Sequence, residues 1–187
     1  MRLFAPLVLA LAAISINAAC TRTPVSPEYV VPLVSTAVKT DSPLSSTHLG
    51  GEHEIPARDT SAQGQAIIKV ADDGLSISYK LIASNIDNVV ASHIHIGAPT
   101  ANGPIAVFLF GNAPAGGGRQ DGVLAEGTLT AANLIGPMAG HPMSDLVAAI
   151  RAGNAYVNVH TNDGVAPTNT GPGDFPGGEI RGQIRAK

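Results

Sequence analysis

Residues 65–81 read Gln-Ala-Ile-Ile-Lys-Val-Ala-Asp-Asp-Gly-Leu-Ser-Ile-Ser-Tyr-Lys-Leu. Ala66, Ile68 and Val70 fall on one side of a two-residue repeat. Leu75, Ile77, Tyr79 and Leu81 fall on one side of a second repeat, with Ser76, Ser78 and Lys80 opposite. Asp72-Asp73-Gly74 stands between them, and Gly accepts the positive φ that a tight hairpin requires. The stretch is therefore predicted to be two antiparallel strands with one face buried.

Working outward, the same alternation marks 89–96 (VVASHIHI), 104–110 (PIAVFLF), 123–129 (VLAEGTL), 154–161 (NAYVNVHT) and 178–184 (GEIRGQI). The spacing predicts an all-β domain, an antiparallel β-sandwich of about 7–8 strands in two sheets. One short helix is expected near 144–152, with Ser144 as cap, Leu146, Val147 and Ile150 on one side, and Gly153 as the stop. Composition agrees with short strands and many turns. The 187 residues include 21 Gly and 14 Pro, no Trp, and only 4% aromatics. With 13% charged residues, net charge −3 and no basic block, nothing favours nucleic acid as a partner.

The N-terminal part has a different character. Arg2 precedes an almost wholly apolar run from Leu3 to Ile16, broken by Pro6 and Ser15. A run of this length falls short of the roughly 20 residues of a membrane-spanning helix. It matches the apolar core of an export signal. Ala18 and Ala19 lead into Cys20, the only cysteine, so no intrachain disulfide forms. Residues 1–20 resemble a bacterial lipoprotein signal, which implies lipidation of Cys20, anchoring to a membrane through that lipid, and a location in the periplasm, at the outer membrane or on the cell surface. Asn17 stands three residues before the cysteine, where that family usually has an aliphatic residue. Ordinary cleavage near Ala18-Ala19 and secretion is the alternative. Thr21 offers no Asp-type signal for inner-membrane retention. Residues 21–46, with Pro24, Pro27, Pro32, Pro43 and many Ser and Thr, read as a disordered tether spanning roughly 30 Å as a coil. Residues 47–187 form the domain.

Motifs in that domain occur in a distinctive order. They are Gly51-Glu52-His53-Glu54-Ile55-Pro56, Gly64-Gln65-Ala66, Ser92-His93-Ile94-His95-Ile96-Gly97, Asn102-Gly103-Pro104-Ile105, Tyr156-Val157-Asn158-Val159-His160-Thr161 and Pro176-Gly177-Gly178-Glu179-Ile180-Arg181-Gly182-Gln183-Ile184. Together they resemble a CHRD domain, the module named after chordin. More distantly the pattern is similar to copper/zinc superoxide dismutase, which has a His-x-His strand, a late strand ending in His and a glycine-rich last strand. That second resemblance implies an immunoglobulin-like or dismutase-like sandwich.

His93 and His95 share one strand face, and Tyr156, Asn158 and His160 share one face of a later strand. Side by side in suitable register, the three imidazoles converge on one ion, and such a set suits copper or zinc. Asn158, Asp163, Asp174 and Glu179 are candidate acceptors for the second ring nitrogens. The competing reading has these histidines bracing loops through backbone carbonyls. Glu179 and Arg181 share a face and are expected to pair with each other or a neighbour, with Arg181 also able to hold an anion. His48, His53 and His141 are expected at the surface. Gly116-Gly117-Gly118 lacks the Lys-Ser/Thr of a phosphate loop, and Asn102-Gly103-Pro104 reads as a turn with Gly at an unusual φ. The long loop 162–177 is placed to cover a site at the end of the sheet. No Gly-x-Ser-x-Gly elbow or other catalytic order stands out.

Two functions follow. The first is a non-enzymatic module of the cell envelope that binds a protein or small ligand or contributes to the surface. The second is a metalloprotein using His93, His95 and His160, with redox activity if copper is held. A second histidine cluster for a second metal is not visible, so full dismutase activity is not expected.

Overall fold

In a computed structural model, residues 45–185 are described. The stretch read as an export signal, Cys20 and the part of the expected tether up to residue 44 lie outside the described residues. Eight strands are present: β1 (Ser45–Gly50), β2 (Gln63–Val70), β3 (Ser76–Asp87), β4 (Val89–Ile96), β5 (Ile105–Phe110), β6 (Arg119–Thr130), β7 (Ala155–Thr161) and β8 (Ile180–Gln183). One helix, α1 (Met143–Arg151), precedes β7. All strand pairs are antiparallel, as the alternation predicts.

The strands hydrogen-bond in one continuous sheet, ordered β5-β4-β7-β8-β1-β2-β3-β6. The two layers of the expected sandwich are thus two halves of one sheet that curls on itself. Tyr79 Oη, on β3, donates to the carbonyl of Leu109 on β5 at 2.7 Å, which ties together two strands distant in the sheet order. Between the halves lies a core that includes Leu49, Ile68, Ile77, Leu81, Ile94, Val157, Val159 and Ile180. Ile77, Leu81, Ile94 and Val157 are wholly buried, each stabilising by roughly 1.5–3 kcal/mol.

The deciding hairpin forms as read. Gly74 takes φ +69, its N–H donates to Ala71 O, and Leu75 N–H donates to Asp73 Oδ1. That last bond holds Leu75 in the turn, so it is exposed and does not join the buried face with Ile77 and Leu81.

Strand β1 begins at Ser45, so the last two residues of the range read as tether are in a strand. Of its inward residues only Leu49 is a large apolar one; Ser45 Oγ donates to Arg185 O and Thr47 Oγ1 to Gln183 O. Helix α1 buries Met143, Leu146, Val147 and Ile150 and ends at Gly153, φ +71. Its N-cap, however, is Pro142 and not Ser144. Ser144 sits inside the first turn, where Asp145 faces the positive end of the helix and contacts His141 Nδ1 at 2.8 Å.

Candidate functional site

Strands β4 and β7 lie side by side, with His93 opposite Asn158, His95 opposite Tyr156 and Ala91 opposite His160. Directly opposed residues share a face. This register places His93, His95, Tyr156, Asn158 and His160 together on the face turned away from Ile94, Val157 and Val159. The face is not left open. Residues 51–60, 98–103 and 162–178 fold over it, and His93, His95 and Asn158 are buried.

The three histidines converge. One ring nitrogen from each lies within 4.8 Å of the others. His93 Nδ1 is 3.1 Å from His160 Nε2, and His95 stacks flat on Tyr156 at 4.8 Å between ring centres. Phe108 on β5 meets His93 edge-on at 4.4 Å and walls one side.

Backbone carbonyls select the tautomers. His160 Nδ1 faces Pro176 O at 2.9 Å, and His95 Nδ1 faces Gly103 O at 2.8 Å. A carbonyl only accepts, so both Nδ1 atoms carry the hydrogen and both Nε2 atoms present lone pairs. Those lone pairs point into the cluster, and His95 Nε2 is buried with no hydrogen-bond partner. Loop bracing and lone-pair presentation are therefore features of the same rings, not alternatives. The long loop supplies Pro176, as its placement after His160 predicts.

Burial keeps all three rings neutral. His93 is pushed down to about 3, by burial first and then by repulsion from His160 and His95. His95 is lowered by burial, opposed by the Gly103 carbonyl, with Arg181 lowering it further and the Asn158 carboxamide raising it. His160 is lowered by burial against the pull of Pro176 O. Neutral imidazole is the ligating form.

The supporting residues differ from expectation in detail. Asn158 does not hold a second ring nitrogen; its Oδ1 lies 3.0 Å from His160 Nε2, on the inward side. Glu179 does not pair with Arg181. Its Oε1 accepts from Thr60 Oγ1 at 2.6 Å, and its Oε2 accepts from Thr161 Oγ1 at 2.6 Å and Gly173 N–H at 2.9 Å. Hydroxyls and an amide thus satisfy a fully buried carboxylate and fasten two loops to the sheet. Arg181, also fully buried, donates to Asn102 Oδ1, Ala98 O and Ala101 O at 3.0 Å each, and lies 3.4 Å over Tyr156. Its guanidinium is spent on the 98–102 loop, which leaves no fork free for an anion. Asp174 Oδ2 accepts from Thr170, and Asp163 Oδ1 from Val165 N–H; neither is bonded to a histidine.

Gly103 is needed for a reason other than a turn φ: a Cβ there would collide with the carbonyl of Ile96. That close approach delivers Gly103 O to His95, while Gly103 N–H donates to Tyr156 Oη at 3.1 Å. Gly116 and Gly118 take positive φ, and Gly118 exchanges hydrogen bonds with Asn88. His48 is exposed, and His53 and His141 are half exposed, as expected of surface residues.

Glu54 is the residue that the sequence did not single out. It is buried, and its pKa is raised to about 7, by desolvation first and against the attraction of Arg181 and Arg58. Its Oε1 has no partner in hydrogen-bond geometry, although the Asn158 amide faces it. Gly178, at φ +120, makes room for both: a Cβ there would collide with Glu54 Oε1 and fall 2.9 Å from Asn158 Nδ2. The signal was present in the Glu52-His53-Glu54-Ile55-Pro56 motif, but no spacing rule connects residue 54 to residues 158 and 178. Beyond Arg181, a cavity of about 610 Å³ is lined by Thr47, His48, Glu54, Thr100 and Gln183, among others.

No curated protein and no solved structure matches the chain. The family model of the CHRD domain matches residues 45–184, from the first residue of β1 to the residue after β8, and takes in every motif that builds the histidine cluster; the chain belongs to the CHRD domain family.

Proposed function

We propose that this CHRD domain is an exported binding module of the cell envelope, and that its ligand is a transition-metal ion, copper or zinc, held by His93, His95 and His160. One observation carries the reading: three neutral imidazoles, His93 and His95 buried and His160 half-buried, offer ring nitrogens within 4.8 Å of one another, and one of those rings, His95, has its Nε2 unpartnered. Leaving a buried acceptor unsatisfied costs about 1–3 kcal/mol, which an ion at that point removes.

The residues fit an ion in type. Two nitrogens on one tetrahedral ion stand about 3.4 Å apart at bonds of roughly 2.0–2.1 Å. His93 Nδ1 and His160 Nε2, 3.1 Å apart, already meet that spacing. The widest pair, within 4.8 Å, must close by up to about 1.4 Å, through rotation of the rings about χ. Pro176 O and Gly103 O act as the outer partners that orient His160 and His95 and raise their basicity. Burial keeps protons from competing for the site. Copper at such a site supplies one-electron chemistry; zinc supplies a fixed charge and a crosslink between β4 and β7. The similarity of pattern to copper/zinc superoxide dismutase adds weight to copper. The apolar run before Cys20 supports export, and Cys20 supports a lipid anchor.

Metal analysis of the protein purified from its native compartment, beside His93→Ala, tests the reading. A single ion per chain, lost in the variant, is expected. Adding Zn²⁺ or Cu²⁺ to stripped protein at a hundredfold excess over Kd is expected to raise Tm by roughly 5–10 °C. A metal-free native protein whose Tm ignores both ions overturns the reading.

A further inference from the structure

We propose that Asn158 is the fourth donor of this site, through Oδ1, so that the chain itself closes a three-imidazole, one-carboxamide shell around zinc(II). The inference rests on the metal reading above and decides between its two ions.

Position comes first. Asn158 stands on β7 between Tyr156 and His160, directly opposite His93, on the histidine face. It is 3% exposed, so its carboxamide has no access to bulk water. Its Oδ1 is 3.0 Å from His160 Nε2, the nitrogen that Pro176 leaves free for a ligand.

Proton bookkeeping comes second. With Nδ1–H of His160 given to Pro176 O, its Nε2 is an acceptor, and a carboxamide oxygen is an acceptor too. His93 Nδ1 has one hydrogen at most, which points at His160 Nε2 and leaves Asn158 Oδ1 facing lone pairs. Charging His160 would fill the gap, but burying an unpaired cation is costly. With the His93 hydrogen on Nε2 instead, a divalent ion draws the lone pairs of all three rings and of Asn158 Oδ1 to one point.

The amide is also held the right way round. Glu54 Oε1 and Asn158 Nδ2 flank the same hypothetical Cβ of Gly178, so the NH₂ end faces a carboxylate and the oxygen end faces the imidazoles. Turning the amide over would set its oxygen against that carboxylate. Glu54 is therefore a positioning residue for Asn158, and Gly178 is the gap that lets the two meet.

The chemistry of the set follows. Three nitrogens and one oxygen arranged as a tetrahedron suit zinc(II); copper(I) prefers softer donors, and copper(II) takes such donors in a square-planar or tetragonal arrangement. Four protein donors close a tetrahedral site and leave no position for substrate, the arrangement of structural zinc. The ion then joins β4 to β7 and holds down the loops that cover them.

Cobalt(II) is the probe, because a tetrahedral cobalt site absorbs strongly in the visible and an open position responds to azide. The full-length chain, stripped of metal and reloaded with cobalt(II), is expected to give an intense tetrahedral spectrum that azide leaves unchanged. Asn158→Leu is expected to weaken zinc binding by roughly 10–100-fold and to make the cobalt spectrum azide-sensitive. Asn158→Asp, which offers only acceptors, is expected to keep the azide-resistant spectrum and bind zinc more tightly than Asn158→Leu. An azide response in the wild-type protein, which needs no variant to fold, overturns the inference. So does an Asn158→Leu protein with unchanged spectrum and zinc affinity. If the wild-type chain takes up no cobalt or zinc at all, the metal reading falls first; if it binds through the histidines while ignoring position 158, only the Asn158 assignment falls.

Discussion

A histidine in a β-sheet is commonly a surface residue that titrates in the physiological range. His93, His95 and His160 are placed where that behaviour is lost, and stability without metal should show it. The folded-state pKa of His93 lies at about 3 against an ordinary 6.5, so below pH 6.5 the unfolded chain binds a proton that the folded chain refuses. Stability rises with pH wherever the unfolded state holds more protons. The contribution of His93 is therefore complete above 6.5 and is lost as pH falls from there toward 3. His95 and His160 are shifted in the same direction. Glu54 opposes them: with its pKa raised to about 7 from 4.5, the folded chain holds the extra proton between those values, and stability falls as pH rises through that range. His93 and Glu54 nearly offset each other between pH 6.5 and 5, and His95 and His160, lowered in the same direction as His93, set the net sign. Urea unfolding of stripped protein is expected to show stability decreasing over that range, less steeply than the roughly 1.4 kcal/mol per pH unit of one uncompensated group. His93→Phe should flatten that slope. A flat profile in the unsubstituted chain would mean that the cluster is hydrated, not buried.

Strand β8 carries only four residues, yet it joins the histidine half of the sheet to the hairpin half, with β7 on one side and β1 on the other. The junction depends on Gly182. A Cβ there would collide with the carbonyl oxygen of His48 and crowd the Thr47 methyl at 2.5 Å. The obstacle is backbone, which cannot swing aside, so Gly182→Ala should cost roughly 1–3 kcal/mol in urea unfolding. Gly117→Ala is the control: it is exposed, nothing lies closer than Pro114 O at 3.9 Å, and a change within about 0.5 kcal/mol is expected. Equal losses in the two variants would show that β1 and β8 are not held this closely. The same two strands mark the limit of what alternation of hydrophobicity reveals. The β2–β3 hairpin was legible because Ile68, Ile77 and Leu81 alternate with polar residues around Asp-Gly. Strand β1 was not, because it buries Ser45 and Thr47, whose hydroxyls are satisfied by carbonyls more than a hundred positions away. The histidine trio was legible because two members are two apart on one strand and the third ends another. Glu54, and the inward turn of Asn158, were not: they depend on Gly178 meeting residues 54 and 158 in space, which spacing along the chain does not encode.

The eight-stranded sheet and the histidine cluster are both built within residues 45–185. That placement fits a module carried on an anchor, and it separates the questions of where the chain sits and what it binds. The apolar run Leu3–Ile16, the small residues Ala18 and Ala19, and the single Cys20 support a proposal of lipid anchoring, with the Pro- and Ser-rich stretch after it as spacer. A single acyl chain gives only marginal membrane binding, and stable anchoring takes more than one. Multiple acylation at Cys20 would supply that, so Cys20→Ala is expected to move the protein from the membrane pellet to the soluble exported fraction. Metal content and thermal stability of the domain should stay unchanged, because the strands and the histidine cluster are built from residues 45–185. Cleavage at Ala18-Ala19 without lipid predicts the opposite distribution: the unsubstituted protein already soluble, and Cys20→Ala indistinguishable from it. A third outcome, loss of metal on Cys20→Ala, would make the thiol a ligand in place of a lipid attachment point and would contradict both the anchor and a site closed by Asn158.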